Sequence, residues 1–223
     1  MPTCTFLIRP DWPSGGSMKI LVTGFDPFGQ DKVNPSWQAV DALADAIDDI
    51  EVLKLLLPTA FKRSKQLLVS EISMQQPDAV LCVGLAGGRS AVSIEKVAIN
   101  YADAGIPDND GNQPKHEKLD QKGPAAYFAS LPVDQLLQAL HAHELPAELS
   151  LSAGAYVCNA TMYQLLNYLA RQNLRTIGGF VHLPFTPEMR HEDQASLPLA
   201  IDEQALGVII SSINHYLKEE KHD

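Results

Sequence analysis

The sequence predicts an α/β fold, and three observations carry that reading. Short apolar runs ending in glycine or proline alternate with segments whose apolar residues recur at helical spacing, the rhythm of strand–helix–strand units. The run Ala79-Val80-Leu81-Cys82-Val83-Gly84 is apolar throughout, as expected of a strand covered on both faces of a parallel sheet. No internal repeat, low-complexity tract or linker divides the 223 residues, so one domain with one sizeable core is expected.

The elements follow in order. Residues 1–17 carry three prolines, two glycines and no period. They read as a flexible extension, from an upstream start codon or the expression vector, ahead of a single domain over 18–223. Met18 opens the first strand, 18–23, through Ile20-Leu21-Val22. Asn34-Pro35-Ser36 marks a helix start, with Asn34 as cap and Pro35 in the first turn. Trp37, Val40, Ala44 and Ile47 then give 35–48 an apolar face. A strand over 51–57 stops at Pro58, and a helix over 60–75 turns Phe61, Leu68 and Ile72 inward. In the second half the pattern predicts strands over 90–100, 149–153 and 176–183, with helices over 133–143, 159–171 and 202–219. Between Tyr101 and Ala126 lies a polar stretch too long for an ordinary connection, of the kind that is either functional or disordered.

Composition excludes several classes. The formal charge of −10 lacks the basic surplus that phosphate neutralisation requires, which argues against nucleic-acid binding. No apolar run approaches the roughly 20 residues of a membrane span, and the N-terminus has no signal-peptide pattern. Three cysteines, Cys4, Cys82 and Cys158, do not make a disulfide framework and fit a reducing compartment.

Cys158 is the sharpest chemical position. It follows Ala153-Gly154-Ala155-Tyr156-Val157 and immediately precedes the helix expected from Asn159. A thiol there faces unpaired N–H groups and the positive end of the helix dipole, which favours the thiolate; the alternative is a small buried hydrophobe. Cys82, in mid-strand, reads as core. His182 ends the apolar run Gly179-Phe180-Val181-His182-Leu183, at the carboxyl edge where sites form in open α/β sheets. It is either a base for a cysteine or a hydrogen-bonded core residue. Of the other six histidines, His141 and His143 diverge on a helix, while His116, His191, His215 and His222 occupy polar segments. By strand alternation Glu95 shares a face with Val97 and Ile99, where a carboxylate needs a partner or a function.

The turn Gly84-Leu85-Ala86-Gly87-Gly88-Arg89 matches neither the dinucleotide nor the P-loop spacing. It is a tight turn, or one whose N–H groups and Arg89 address an anion or an oxyanion. Phe25 and Phe28, in a Gly/Pro-rich turn, either pack onto the sheet or line a small-molecule pocket. The acidic positions near Asp108 and Asp110 fail the calcium-loop pattern, and no zinc motif occurs, so no metal site is expected.

Taken together the segments resemble pyroglutamyl peptidase I, the pyrrolidone-carboxylate peptidases. The resemblance rests on Thr23-Gly24-Phe25-Asp26-Pro27-Phe28-Gly29, Val33-Asn34-Pro35-Ser36-Trp37, Gly84–Arg89 and Glu95-Lys96-Val97-Ala98-Ile99-Asn100. It continues through Ile106-Pro107-Asp108-Asn109, Gly111-Asn112-Gln113-Pro114, Gly154–Asn159 and Gly179–Pro184, in order from Met18 to the C-terminus. It implies a three-layer α/β/α sandwich of phosphorylase/hydrolase-like type, with a mixed, mainly parallel sheet. It also implies a thiol-dependent hydrolase that removes an N-terminal pyroglutamyl residue from small peptides through a thioester. The catalytic residues would be Cys158, His182 and Glu95, with Phe25, Phe28, Asn34, Leu85 and Val157 at the substrate and Arg89 supporting the oxyanion. No metal or organic cofactor, a cytoplasmic location and a homodimer or homotetramer are implied as well. Leu85 stands where some members carry glutamine. A phosphorylase-like transferase on a similar sheet, or a non-catalytic ligand-binding protein, is the competing reading.

Overall fold

The chain, seen in a computed structural model that describes residues 18–189 and 193–222, mixes strands and helices along its length. Residues 1–17, expected as an extension, lie outside the described residues, and so do Cys4 and His191. The first half builds β1 (Lys19–Phe25), α1 (Pro35–Ala42), β2 (Ala46–Ile47), β3 (Ile50–Leu57), α2 (Phe61–Gln75) and β4 (Ala79–Leu85). The second half adds β5 (Val92–Glu95), β6 (Val97–Ile99), β7 (Ala126–Phe128), α3 (Val133–Ala142), β8 (Ala147–Ser150), α4 (Val157–Arg171), β9 (Ile177–Leu183) and α5 (Leu199–His222).

Seven strands form one mixed sheet in the order β2-β3-β1-β4-β9-β5-β8. The central strands β3, β1, β4 and β9 are parallel, β5 runs antiparallel to β9, and β8 follows β5. β4 and β9 are buried at every position, as their unbroken apolar runs require of strands covered on both sides. Helices α1, α3 and α5 cover one face over a core that includes Val22, Leu81, Val181, Leu136 and Ile209. Helices α2 and α4 cover the other over Leu21, Cys82, Phe180, Leu68 and Leu165. The result is a three-layer α/β/α arrangement.

Chain order reverses between β1 and β4, since β1 leads through α1 to β3 on one side while β4 lies on the other. Such a switch leaves a crevice beyond the carboxyl ends of the strands.

Four of the boundaries that differ from the pattern read in the sequence have a local reason. α1 ends at Ala42 rather than near Asp48, because Ala46 and Ile47 turn back to pair with β3 and Asp48 takes a left-handed conformation (φ 52°). The long strand expected over 90–100 breaks at Lys96: β5 stays in the main sheet while β6 leaves it to pair with β7. That break overturns the shared face expected for Glu95, Val97 and Ile99, since Glu95 is fully buried and Ile99 is exposed. The edge strand β8 spans Ala147–Ser150 instead of 149–153, in register with β5. Finally, α4 begins at Val157, so Cys158 is the second residue of the helix rather than the one before it.

The polar stretch after Tyr101 is held down at many points. Ala102 bridges to Glu117, and Asn159, buried on α4, bonds the backbone of Ile99 and Tyr101. On α5, Asp202 is fully buried and both its carboxyl oxygens lack a hydrogen-bond partner among the described residues.

Candidate active site

The sheet register sets the site. His182 on β9 stands beside Gly84 on β4, and Phe180, two residues earlier, stands beside Cys82. Alternation therefore points His182, Phe180, Cys82 and the bare position of Gly84 toward α2 and α4. Cys158, at the start of α4, comes down onto that bare position. A Cβ on Gly84 would lie 2.9 Å from the Cys158 Sγ and 2.7 Å from the Phe180 ring. Glu95 enters from the other side: β5 places it opposite Phe180 and one step inward from His182.

His182 Nδ1–H donates to Glu95 Oε1 at 2.7 Å, and Arg89 Nη1 donates to the same oxygen at 2.7 Å. Arg89 also bonds the Ser152 carbonyl at 3.1 Å, so its guanidinium is committed to Glu95 and to the loop before α4. A carboxylate accepting at Nδ1 fixes the imidazole tautomer and leaves Nε2 as an acceptor.

The electrostatics follow from burial. Burial pushes the Glu95 carboxyl up, but the His182 hydrogen bond and the nearby positive charge outweigh it and hold it below the ordinary carboxylate range. Burial lowers His182, and the pull of Glu95 offsets this only in part, so the imidazole is neutral near neutral pH. Cys158 is partly buried as a residue, and the burial around its sulfur, with the Glu95 charge second, pushes the thiol up to about 12. The thiolate expected from the helix start is therefore not the resting form. Arg89 and the residue's own N–H pull the thiol down but do not prevail. Cys82 is buried outright, and its thiol is likewise pushed up to about 12.

A cavity of about 330 Å³ opens at the switch point. Cys158, His182 and Arg89 line it together with Phe25, Phe28, Asn34 and Leu85. Its walls are mostly apolar, the usual make-up of a small-molecule site. Phe25 is 2% exposed and packs on Phe180 at 6.3 Å between ring centroids, whereas Phe28 is half-buried against Tyr156 at 6.1 Å. Both rings thus pack on a neighbouring ring and border the cavity. Asn34 caps α1 through Ser36 and donates to the Asp26 carbonyl, so its polar atoms shape the turn that carries Phe28. Val157 contributes no side chain to the lining; it is fully buried in the core beneath α4.

Thr59 and Tyr156 also line the cavity and were not singled out from the sequence. Thr59 carried no signal beyond following a strand. Tyr156, an aromatic residue directly before the first turn of the helix that bears Cys158, was the one detectable clue. Tyr156 offers no side-chain cap to the first N–H groups of α4, the turn that carries Cys158.

This geometry can be set against known proteins. The family model described as pyroglutamyl peptidase matches residues 18–216. The chain belongs to the pyroglutamyl peptidase family. A pyrrolidone-carboxylate peptidase of Brachyspira hyodysenteriae is 48% identical over 77% of this chain and 85% of its own. One from Thermosipho africanus is 41% identical over 91% of this chain and 98% of its own. Among solved structures, pyroglutamyl peptidase I of Bacillus amyloliquefaciens superposes with a TM-score of 0.86, at 40% identity over 89% of this chain and 95% of that one. This pyroglutamyl peptidase family member thus shares its fold with that structure over most of its length. Among the described residues no helix is long and apolar enough to cross a membrane.

Proposed function

We propose that this chain is a pyroglutamyl peptidase I that hydrolyses the amide bond after an N-terminal pyroglutamyl residue, with Cys158 as nucleophile. The observation that carries this reading is that His182, hydrogen-bonded from behind by the buried Glu95, lines the same cavity as Cys158. Pyroglutamate is a neutral lactam, and the walls formed by Phe25, Phe28, Leu85 and Tyr156 suit its ring. An unmodified N-terminal ammonium would lose its hydration there without gaining a partner, which selects against ordinary peptides.

The resting site holds a thiol, a neutral imidazole and a carboxylate. His182 Nε2 takes the thiol proton as sulfur attacks the carbonyl carbon, so the ion pair forms during attack rather than before it. The carbonyl oxygen gains negative charge, which the N–H groups at the start of α4, without a side-chain cap from Tyr156, would receive. Glu95 stabilises the imidazolium, and Arg89 holds Glu95 charged and in place. The imidazolium then returns its proton to the leaving amine, which departs as the shortened peptide. Water, deprotonated by His182, attacks the thioester, releases pyroglutamate and restores the thiol.

We further take the protein to act in the cytoplasm as a homo-oligomer, a dimer or tetramer. Free Cys82 and Cys158 suit a reducing compartment, and Phe128 and Leu151 expose apolar surface that a second copy would cover. Release of dye from a pyroglutamyl-linked reporter, blocked by iodoacetamide and independent of inorganic phosphate, tests the reaction. Failure to cleave the reporter, or cleavage that survives alkylation of Cys158, overturns it.

A further inference from the structure

The walls of the cavity come from separate parts of the chain. Phe28 lies in the turn after β1, Thr59 in the turn after β3, and Tyr156 before α4. The long loop supplies none of the lining residues, yet one short piece of it, residues 107–109, touches all three walls. Asn109 N–H donates to the Thr59 carbonyl at 3.0 Å. Its side-chain amide donates both hydrogens to the first wall, one to Asp26 Oδ1 at 3.0 Å and one to the Pro27 carbonyl at 2.9 Å. The Tyr156 hydroxyl donates to the Pro107 carbonyl at 3.0 Å.

Asp108 fixes this piece in turn. Its Oδ1 accepts the N–H groups of Asp110 and Asn112, folding the loop on itself. Its Oδ2 accepts the Phe61 N–H at 2.9 Å, which caps α2 from outside because Ala60, at the cap position, has no side chain able to do so. The Phe61 ring meets Tyr156 edge-on at 5.4 Å, so the same anchor braces the third wall. Asp26 is already tied to Thr59, through Thr59 N–H and Oγ1, but no hydrogen bond among the described residues joins the Phe28 turn directly to Tyr156.

We propose that Asn109 is a positioning residue for substrate binding: with Pro107 and Asp108 it clamps the Phe28, Thr59 and Tyr156 walls at the spacing a five-membered lactam fills. This rests on the reaction proposed above. Preorganised walls act mainly on binding, since the cost of ordering them is met before the ligand arrives. The clamp touches neither Cys158 nor His182, so its loss should appear in KM before kcat.

The test compares wild type with Asn109→Ala and with Asn109→Asp, which keeps the shape but removes both amide donors. Two readouts are needed: steady-state hydrolysis of a pyroglutamyl dye reporter, and protection of Cys158 from iodoacetamide by 2-pyrrolidone, the bare lactam. The clamp predicts a KM at least about tenfold higher with kcat within about threefold, and an equal rise in the half-protecting pyrrolidone concentration. Unmoved KM and protection in both variants overturns it, as does a fall in kcat at constant KM. Should Asn109→Ala fail to fold, Asn109→Asp and Tyr156→Phe, which frees Pro107, carry the same comparison. Wild-type protein that leaves the reporter intact overturns the reaction instead, whereas a cleaving wild type beside variants of normal KM overturns the clamp alone.

Discussion

Gly84 gives Cys158 its seat. The strand position next to His182 carries no side chain, and the space a methyl group would occupy lies 2.9 Å from the cysteine sulfur. Gly84→Ala should therefore displace Sγ or the Phe180 ring and lower kcat by about tenfold or more, because small misplacements of a nucleophile are costly. Kinetics on the folded variant checks this; wild-type turnover would show that Sγ has room to spare.

Cys158→Ala should abolish turnover while Cys82→Ala keeps most of it. Cys82 is sealed in the core, and its loss should appear as a lowered unfolding temperature. Reporter assays and thermal melts on both variants separate the two roles, and the opposite pattern would move the nucleophile to β4.

Glu95→Gln should cut kcat by about 10²–10⁴ with the fold intact, since an amide can hold the imidazole in the wrong tautomer and cannot stabilise its charge. Turnover within twofold of wild type would remove Glu95 from the reaction.

The Cys158 thiol, pushed up to about 12, sets an alkylation profile. The rate of reaction with iodoacetamide should climb steadily from pH 6 to pH 10, since each added fraction of thiolate comes only with rising pH. A plateau near neutrality would reveal a preformed thiolate–imidazolium pair.

Asp202 should make the protein less stable as pH rises. Burial, with Glu203 adding to it, raises its carboxyl to about 8 in the folded chain. The unfolded group ionises near pH 3.9, so the folded state binds the extra proton between there and about 8, and stability falls across that window. Asp202→Asn should raise the melting temperature, by more at pH 8 than at pH 5. An equal effect at both values would mean that the carboxyl does not titrate in this window.

Much of the fold was legible in the sequence because apolar periodicity reports burial directly. β4 and β9, buried at every position, were found nearly to the residue, as was the core-facing side of α4. The break at Lys96 was not, because Val92–Ile99 keeps a strand-like composition while changing sheets, and only tertiary pairing records that exchange. The site shows the same division. Cys158, His182 and Glu95 stood out as chemically conspicuous residues in apolar or helix-start settings. Thr59 and Asn109 did not, since their parts are played by a backbone carbonyl or an amide whose partners lie tens of residues away. For Cys158 the helix start favours the thiolate locally, while burial around the sulfur opposes it and raises the thiol, a balance that local sequence does not record.

Glu95 sits opposite Phe180, a step deeper in the sheet than the histidine it serves. Glu95 and His182 are thus rooted in strands, while Phe28, Thr59 and Tyr156 at the cavity belong to connecting segments. Such a division makes the protein a promising scaffold for retargeting: the mouth can be rebuilt for a six-membered lactam by altering Phe28, Thr59, Tyr156 or the clamp behind them. The proton-handling apparatus on β5 and β9 would need no change.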